Sequence, residues 1–350
     1  MTNDIESLLL ESTERVLRVH CGANMWREVD AGGWPQTLWN ALDEVGLPLA
    51  LVAEASGGAG LSFAHVADVV KLTAAYALPL PLAETMLAGW LLDQAGIEIP
   101  GGPLGIAPTR RDDRLQLRRN DGTWVVSGTL HRVPWGRDCS ALVAIATGED
   151  SNSIVLLDKA QLSIETGSNI AGEPRDTLQC ANAPVLAMGD AQLTAQQLHC
   201  LGAIVRSLQI VGACRTCLKE TIEYANLRKQ FGRQIGKFQV IQNYIAMLAT
   251  ETAAATAAAD VGVDALVRGV DVFGAACAKT RTSEAAGKVT ALAHQVFGAI
   301  GFTHEHSLHR STMRLLSWRD EFGSETSWAA ELGQRIFAQG GAHAWRQIAG

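Results

Sequence analysis

From residue 193 onward the apolar residues of this chain recur every three or four positions through very long runs, and that feature narrows the possible folds more than any other. AQQLHCLGAIVRSLQIVGACRTCLKETIEYANLRKQF alone spans about ten helical turns. KFQVIQNYIAMLATETAAATAAADVGVDALV and VFGAACAKTRTSEAAGKVTALAHQVFG follow it. Long helices with an apolar stripe hide it by packing side by side, so residues 193–350 are expected to form an antiparallel bundle.

The period differs upstream. From 104 to 192 apolar residues alternate, as in RLQLRRNDGTWVVSG, ALVAIATG, SIVLLDKAQLSIE and APVLAMG, with Asn120, Asp121 and Gly122 placed to make a hairpin turn. This predicts a small β-domain. Residues 1–103 return to helical spacing in SLLLESTERVLRVH, PQTLWNALDEVG, AHVADVVKLTAAYA and LAETMLAGWLLDQAG, with a glycine-rich and therefore flexible connection around Gly57, Gly58 and Gly60. Helices, then strands, then a bundle define an α+β chain in three parts, 1–103, 104–192 and 193–350.

Composition removes several function classes. The chain is 350 residues long and 47% apolar, enough for sizeable cores. A net charge of -7 offers no basic face for a phosphate backbone, so nucleic acid is not an expected partner. Asp4, Glu6 and Glu11 interrupt the first apolar segment, and no stretch reads as a membrane span, which predicts a cytoplasmic protein without a membrane partner. Seven scattered cysteines lack framework spacing, and the Cys214–Cys217 pair lies within a helical pattern, which favours buried thiols over a metal or redox centre. His294, His304, His306 and His309 are irregularly spaced and lack carboxylate or cysteine companions, so no metal is expected.

Three segments in order, DAGGWPQTLWNALDEVGLPLALVAEASGGAGLS, YANLRKQFGRQIGKFQVIQNYIA and HQVFGAIGFTHEHSLHR, give the chain its kinship. It resembles the acyl-CoA dehydrogenases over essentially its full length. The resemblance implies a helical amino-terminal domain, a middle β-barrel, a four-helix bundle, FAD, an acyl-CoA substrate and an electron-transferring flavoprotein as acceptor. It further implies that Arg228 and Phe231 of RKQFG, Gln239, and Gln295, Gly298 and Gly301 of the second motif hold the ADP half of a flavin bound by a neighbouring subunit. The residue types suit that role. Arg228 offers planar donors to phosphate oxygens, Phe231 an aromatic face, the glutamines amide groups, and the glycines room for close backbone approach.

The same family places a glutamate base in one of two positions. Counting back from Arg228 brings the first onto Gly202 and Ala203; the second falls on Phe322 or Ser324 in WRDEFGSETSW, flanked by Glu321 and Glu325. The stretch GPLGIAPTRRDDRLQL stands where the family has a flavin-ring loop, and Arg132, Pro134, Trp135 and Gly136 replace a ring-contacting strand. Three readings remain open: a subunit that completes the FAD site of a longer catalytic partner in a heterotetramer, as in bacterial steroid and lipid degradation; a homo-oligomer using Glu325 as base; or a flavin-free helical scaffold. Trp135 and Trp318 suit core or acyl-cavity positions, and Arg110, Arg111, Arg114, Arg118 and Arg119 suit a solvated strand edge or a CoA phosphate.

Overall fold

The computed structural model describes residues 2–149 and 151–340 and divides into two compact units, 1–199 and 200–350. The first unit opens with helices α1 (Thr2–His20), α2 (Ala23–Asp30), α3 (Gln36–Glu44), α4 (Phe63–Ala75) and α5 (Leu82–Gln94). The short α2 was not visible in the apolar spacing, because it buries only Met25. The expected flexible connection is instead folded. It contains two 3₁₀ turns, and Asp93 on α5 accepts from the Ala53 amide at 3.1 Å and the Ser56 hydroxyl at 2.5 Å. A side chain at Gly58 would lie 2.2 Å from the Val52 carbonyl, so glycine there serves close packing.

Seven strands follow: β1 (Leu104–Ala107), β2 (Gln116–Asn120), β3 (Thr123–Pro134), β4 (Ala141–Thr147), β5 (Asn152–Asp158), β6 (Ser163–Glu165) and β7 (Arg175–Asp190). β4 pairs with β2, β2 with β3, β3 with β7, β7 with β5, and β5 with β4, so the sheet closes on itself. Closure leaves few free edges. Alternate residues, among them Leu117, Val126, Leu130, Leu142, Ala144, Val155, Leu157 and Leu178, fill the interior. Asp121 and Gly122 both have positive φ and form the two-residue hairpin between β2 and β3. The barrel corner at Arg137 hangs on Asp176, whose fully buried carboxylate accepts from the Arg137 amide at 2.7 Å, its guanidinium at 2.5 Å and the Gly167 amide at 3.0 Å.

The helix α6 (Ala195–Leu227) runs from the first unit into the second. By length and hydropathy it is the one described helix that could cross a membrane, but 78% of its apolar window is buried inside the fold, as for a core helix. In the second unit α7 (Gln239–Val267) and α8 (Val272–Phe297) are antiparallel. Their crossing depends on small residues: a Cβ on Gly274 would lie 2.4 Å from that of Ala265, and one on Gly262 2.9 Å from that of Ala278. Across from α6, the hydroxyls of Ser207 and Thr282 meet at 3.1 Å. α9 (Leu308–Trp318) and α10 (Glu325–Gln339) complete the bundle. Cys214 and Cys217 are fully buried, and burial pushes the Cys214 thiol up to about 12. No cluster among the described residues could hold a metal ion.

Candidate functional site

Helix α6 stops at Leu227, and Arg228 follows with its amide still bonded to the Tyr224 carbonyl at 2.8 Å. The chain then makes a hairpin of β8 (Lys229–Gln230) and β9 (Arg233–Gln234), turning on Phe231 and Gly232 with φ of 51° and 76°. Phenylalanine rarely adopts this conformation, and here its ring is 90% exposed. The strained turn thus holds an aromatic face open to solvent. Phe238 meets that ring edge-on at 6.1 Å, and the Arg233 guanidinium lies 4.2 Å above Phe238.

The opposite wall is the end of α8. Phe297 stacks on Tyr224 at 4.3 Å, and the chain leaves the helix at Gly298, whose φ of 66° and ψ of -147° suit only glycine. Between the walls lies a cleft of about 730 Å³ lined by Arg228, Phe231, Ile235, Phe238, Gln295 and Gly298 among others. Its size is ordinary for a small-molecule site. Arg228 has no carboxylate within ion-pair distance among the described residues, and nothing lies within 4 Å of where a side chain on Gly298 would begin. A cationic fork, an amide, a flat aromatic and an open glycine fit the phosphate and base of an adenine nucleotide.

The structure brings Arg228, Phe231, Gln295 and Gly298 together, as the motifs imply, but not Gln239 or Gly301. Gln239 is the exposed first residue of α7 and does not line the cleft. Gly301 is buried, and a side chain there would strike Phe297 and His294 at about 3 Å, so it is glycine for packing. Tyr224 and Phe238 line the cleft, yet neither was singled out from sequence; only their apolar helical spacing could have marked them. The histidines pack around this end. His294 stacks on Phe302 at 4.0 Å and bonds Thr312, and His306 meets Phe297 edge-on at 4.7 Å. Desolvation holds His294 below its usual range, and therefore neutral.

The two positions to which a base was assigned by counting lie against one another. A Cβ on Gly202 would sit 2.1 Å from the ring of Phe322, which is 5% exposed. The ring is held from both sides of its turn. Trp328 donates to the Phe322 carbonyl at 2.8 Å, and Lys279 donates to the carbonyls of Arg319 at 2.6 Å and Gly323 at 3.0 Å. Glu321, expected as a polar residue at a helix start, is instead in a buried ion pair with Arg206 at 2.7 Å. Glu325 is the first residue of α10, half-buried and 3.4 Å from Arg319, with Ser324 capping the helix through the Ser327 amide. Hydrocarbon fills the place, and neither flanking glutamate is aimed into it.

Four helices from one bundle and a closed barrel would be compatible with several families; the match of residues 195–330 to the family profile described as the acyl-CoA dehydrogenase C-terminal domain, over the segment that builds the cleft, decides between them. Over residues 195–330 the chain carries the acyl-CoA dehydrogenase C-terminal domain. Acyl-CoA dehydrogenase IpdE2 of Mycobacterium tuberculosis is 28% identical over 86% of this chain and 88% of its own length. Acyl-CoA dehydrogenase FadE34 of the same organism is 28% identical over 82% of this chain and 39% of its own. Among solved structures, a steroid acyl-CoA dehydrogenase, Tcur3481-Tcur3483, matches with a TM-score of 0.87 at 22% identity, covering 98% of this chain and all of that one. The ChsE4-ChsE5 complex from M. tuberculosis matches at 0.84 and 20%, over 94% and 96%. At these identities the solved structures establish the acyl-CoA dehydrogenase fold of this chain.

In this chain the segment expected to replace the ring-contacting strand is a packed corner. Trp135 is 5% exposed beneath the Arg175 guanidinium at 4.8 Å, and a side chain on Gly136 would press on Leu178 and Asp176. The preceding loop is shortened but ordered: buried Asp113 accepts from both the amide and ring of His131 at 2.7 Å. Of the nearby arginines, Arg118 bonds Asn182 at 2.6 Å and Arg119 lies over Trp124 at 5.8 Å, as strand-edge residues do. Trp318 is core.

Proposed function

We propose that this chain is a subunit of an FAD-dependent acyl-CoA dehydrogenase that lends its cleft to the flavin of a longer catalytic partner. The observation that carries this reading is one bundle with an open cleft at Arg228 and a Phe322 ring seated on Gly202, where a base would have to stand. Arg228, Phe231, Gln295 and Gly298 would hold the ADP half of FAD. When bound, FAD supplies the acceptor for the hydride lost from the β-carbon of the acyl thioester, and the partner supplies the base that takes the α-proton. This chain then contributes binding and orientation only. The exposed Phe231, Val240 and Ile300, which line the cleft, are the kind of surface that a partner covers.

The steroid acyl-CoA dehydrogenase and the ChsE4-ChsE5 complex among the structural relatives favour a heteromer acting on a steroid side-chain or related acyl-CoA. An electron-transferring flavoprotein is the acceptor that family membership favours. A cytoplasmic setting agrees with seven free thiols.

Co-expression with a longer acyl-CoA dehydrogenase encoded beside it tests the reading. The purified complex should carry flavin absorbance and oxidise acyl-CoA, the isolated chain should bind nucleotide weakly enough to lose flavin on purification and show no turnover, and Arg228→Ala should lower flavin retention by the complex by about tenfold or more. An isolated chain that holds stoichiometric flavin and turns over, with loss on Glu325→Gln, would establish the homomeric reading instead. A complex that assembles without flavin would establish the scaffold.

A further inference from the structure

A second cleft, of about 410 Å³, opens beside the first along α8 and shares Gln295 with it. Its floor is one face of that helix, formed by Gly287, Thr290, Ala291, His294 and Gln295, spaced three or four residues apart. Arg319 closes one side and Phe302, 69% exposed, the other. Three features of this cleft have no explanation in the packing of the bundle. The Thr290 hydroxyl is buried, lines the cleft and has no hydrogen-bond partner among the described residues. The Arg319 guanidinium lies against the helix at Gly287, its Nη1 2.9 Å from where any side chain on that residue would begin. Among the described residues that guanidinium is held by a long 3.4 Å contact to Glu325, which is itself 38% exposed.

A buried hydroxyl left unsatisfied costs about 1–3 kcal/mol, and a guanidinium that a helix glycine makes room for is placed, not incidental. His294 is neutral, so Arg319 supplies the only positive charge among the residues that line this cleft. The set is one planar cation, one amide and one hydroxyl beside an aromatic wall, and it recognises a phosphate group attached to a larger body. Sharing Gln295 makes the two clefts neighbours on one helix. The eight helical rises from Gly287 to Gln295 span about 12 Å, which an extended dinucleotide bridges.

We propose that the two clefts form one extended dinucleotide site, in which Arg319 with Thr290 and Gln295 binds the phosphate farther from the adenosine. This rests on the donor-site reading above and assigns to Arg319 a ligand contact beyond the RKQFG and HQVFG motifs. Glu325 then acts as a competitor that the phosphate displaces from Arg319.

The test is equilibrium binding of adenosine, ADP and FAD to the full-length chain by titration calorimetry or saturation-transfer NMR. Arg319→Ala should weaken ADP and FAD by about tenfold or more, from loss of a charge-assisted contact, and leave adenosine within about twofold. Unchanged adenosine affinity doubles as the check on folding. Glu325→Gln should tighten ADP modestly. If the wild-type chain binds ADP and Arg319→Ala binds it equally well, the extended site is wrong while the donor-site reading stands. Should the wild type bind neither nucleotide, the donor-site reading falls and takes the extension with it.

Discussion

Gly202→Ala should destabilise the bundle, although alanine in place of a mid-helix glycine ordinarily stabilises by about 1 kcal/mol. The new methyl would lie 2.1 Å from Cδ1 and 2.2 Å from Cε1 of Phe322, far inside van der Waals contact. The ring cannot swing away freely. Its own carbonyl is tied to Trp328, the carbonyls on either side of it in the turn to Lys279, and the Arg206 guanidinium stands 5.5 Å from its centre. Overpacking of this kind costs about 1–3 kcal/mol, which outweighs or cancels the helix-propensity gain and leaves a net loss of up to about 2 kcal/mol. Urea unfolding of wild type, Gly202→Ala, Phe322→Ala and the double variant measures it. Phe322→Ala alone should cost about 3 kcal/mol or more, and in its background Gly202→Ala should turn stabilising, a coupling of about 2 kcal/mol. If Gly202→Ala instead raises stability by the ordinary helical increment in the presence of Phe322, the ring does not occupy the place described for it.

Two further outcomes follow from the buried groups. Burial lowers Lys279 from the usual 10.5 to about 7, so between those values the unfolded chain binds the proton that the folded chain gives up; the stability of wild type relative to Lys279→Met should therefore rise from pH 6 to pH 9, and a flat or falling difference would contradict the assignment. Cys214 and Cys217, both fully buried with thiols pushed up, should resist iodoacetamide at pH 8 until the chain unfolds, and a chelator should leave the melting temperature unchanged; labelling of the native protein or a chelator-induced drop would return the pair to candidacy as a reactive or metal site.

The order of the elements was legible because each rests on a local pattern. The 3.6-residue spacing from 195 onward gave α6, α7 and α8 nearly to their ends, and Asn120–Asp121–Gly122 marked the first hairpin because only such residues accept two successive positive φ angles. What lacked a local pattern was missed: β1 is four residues long, the first half of β7 alternates poorly, and α2 has one buried residue. Sequence also placed Arg228, Phe231, Gln295 and Gly298 among the candidates, through the resemblance carried by the RKQFG and HQVFGAIGF motifs. It could not separate Gly298, which opens the cleft, from Gly301, which packs beneath it, because one letter covers both uses. By counting alone Gly202 and Phe322 were two vacancies 120 positions apart. Only the tertiary structure shows them as one filled space, because a long-range packing contact leaves no periodic trace in either segment. The same holds for Glu321, a candidate base by sequence, whose carboxylate is bonded to Arg206, 115 residues away in sequence.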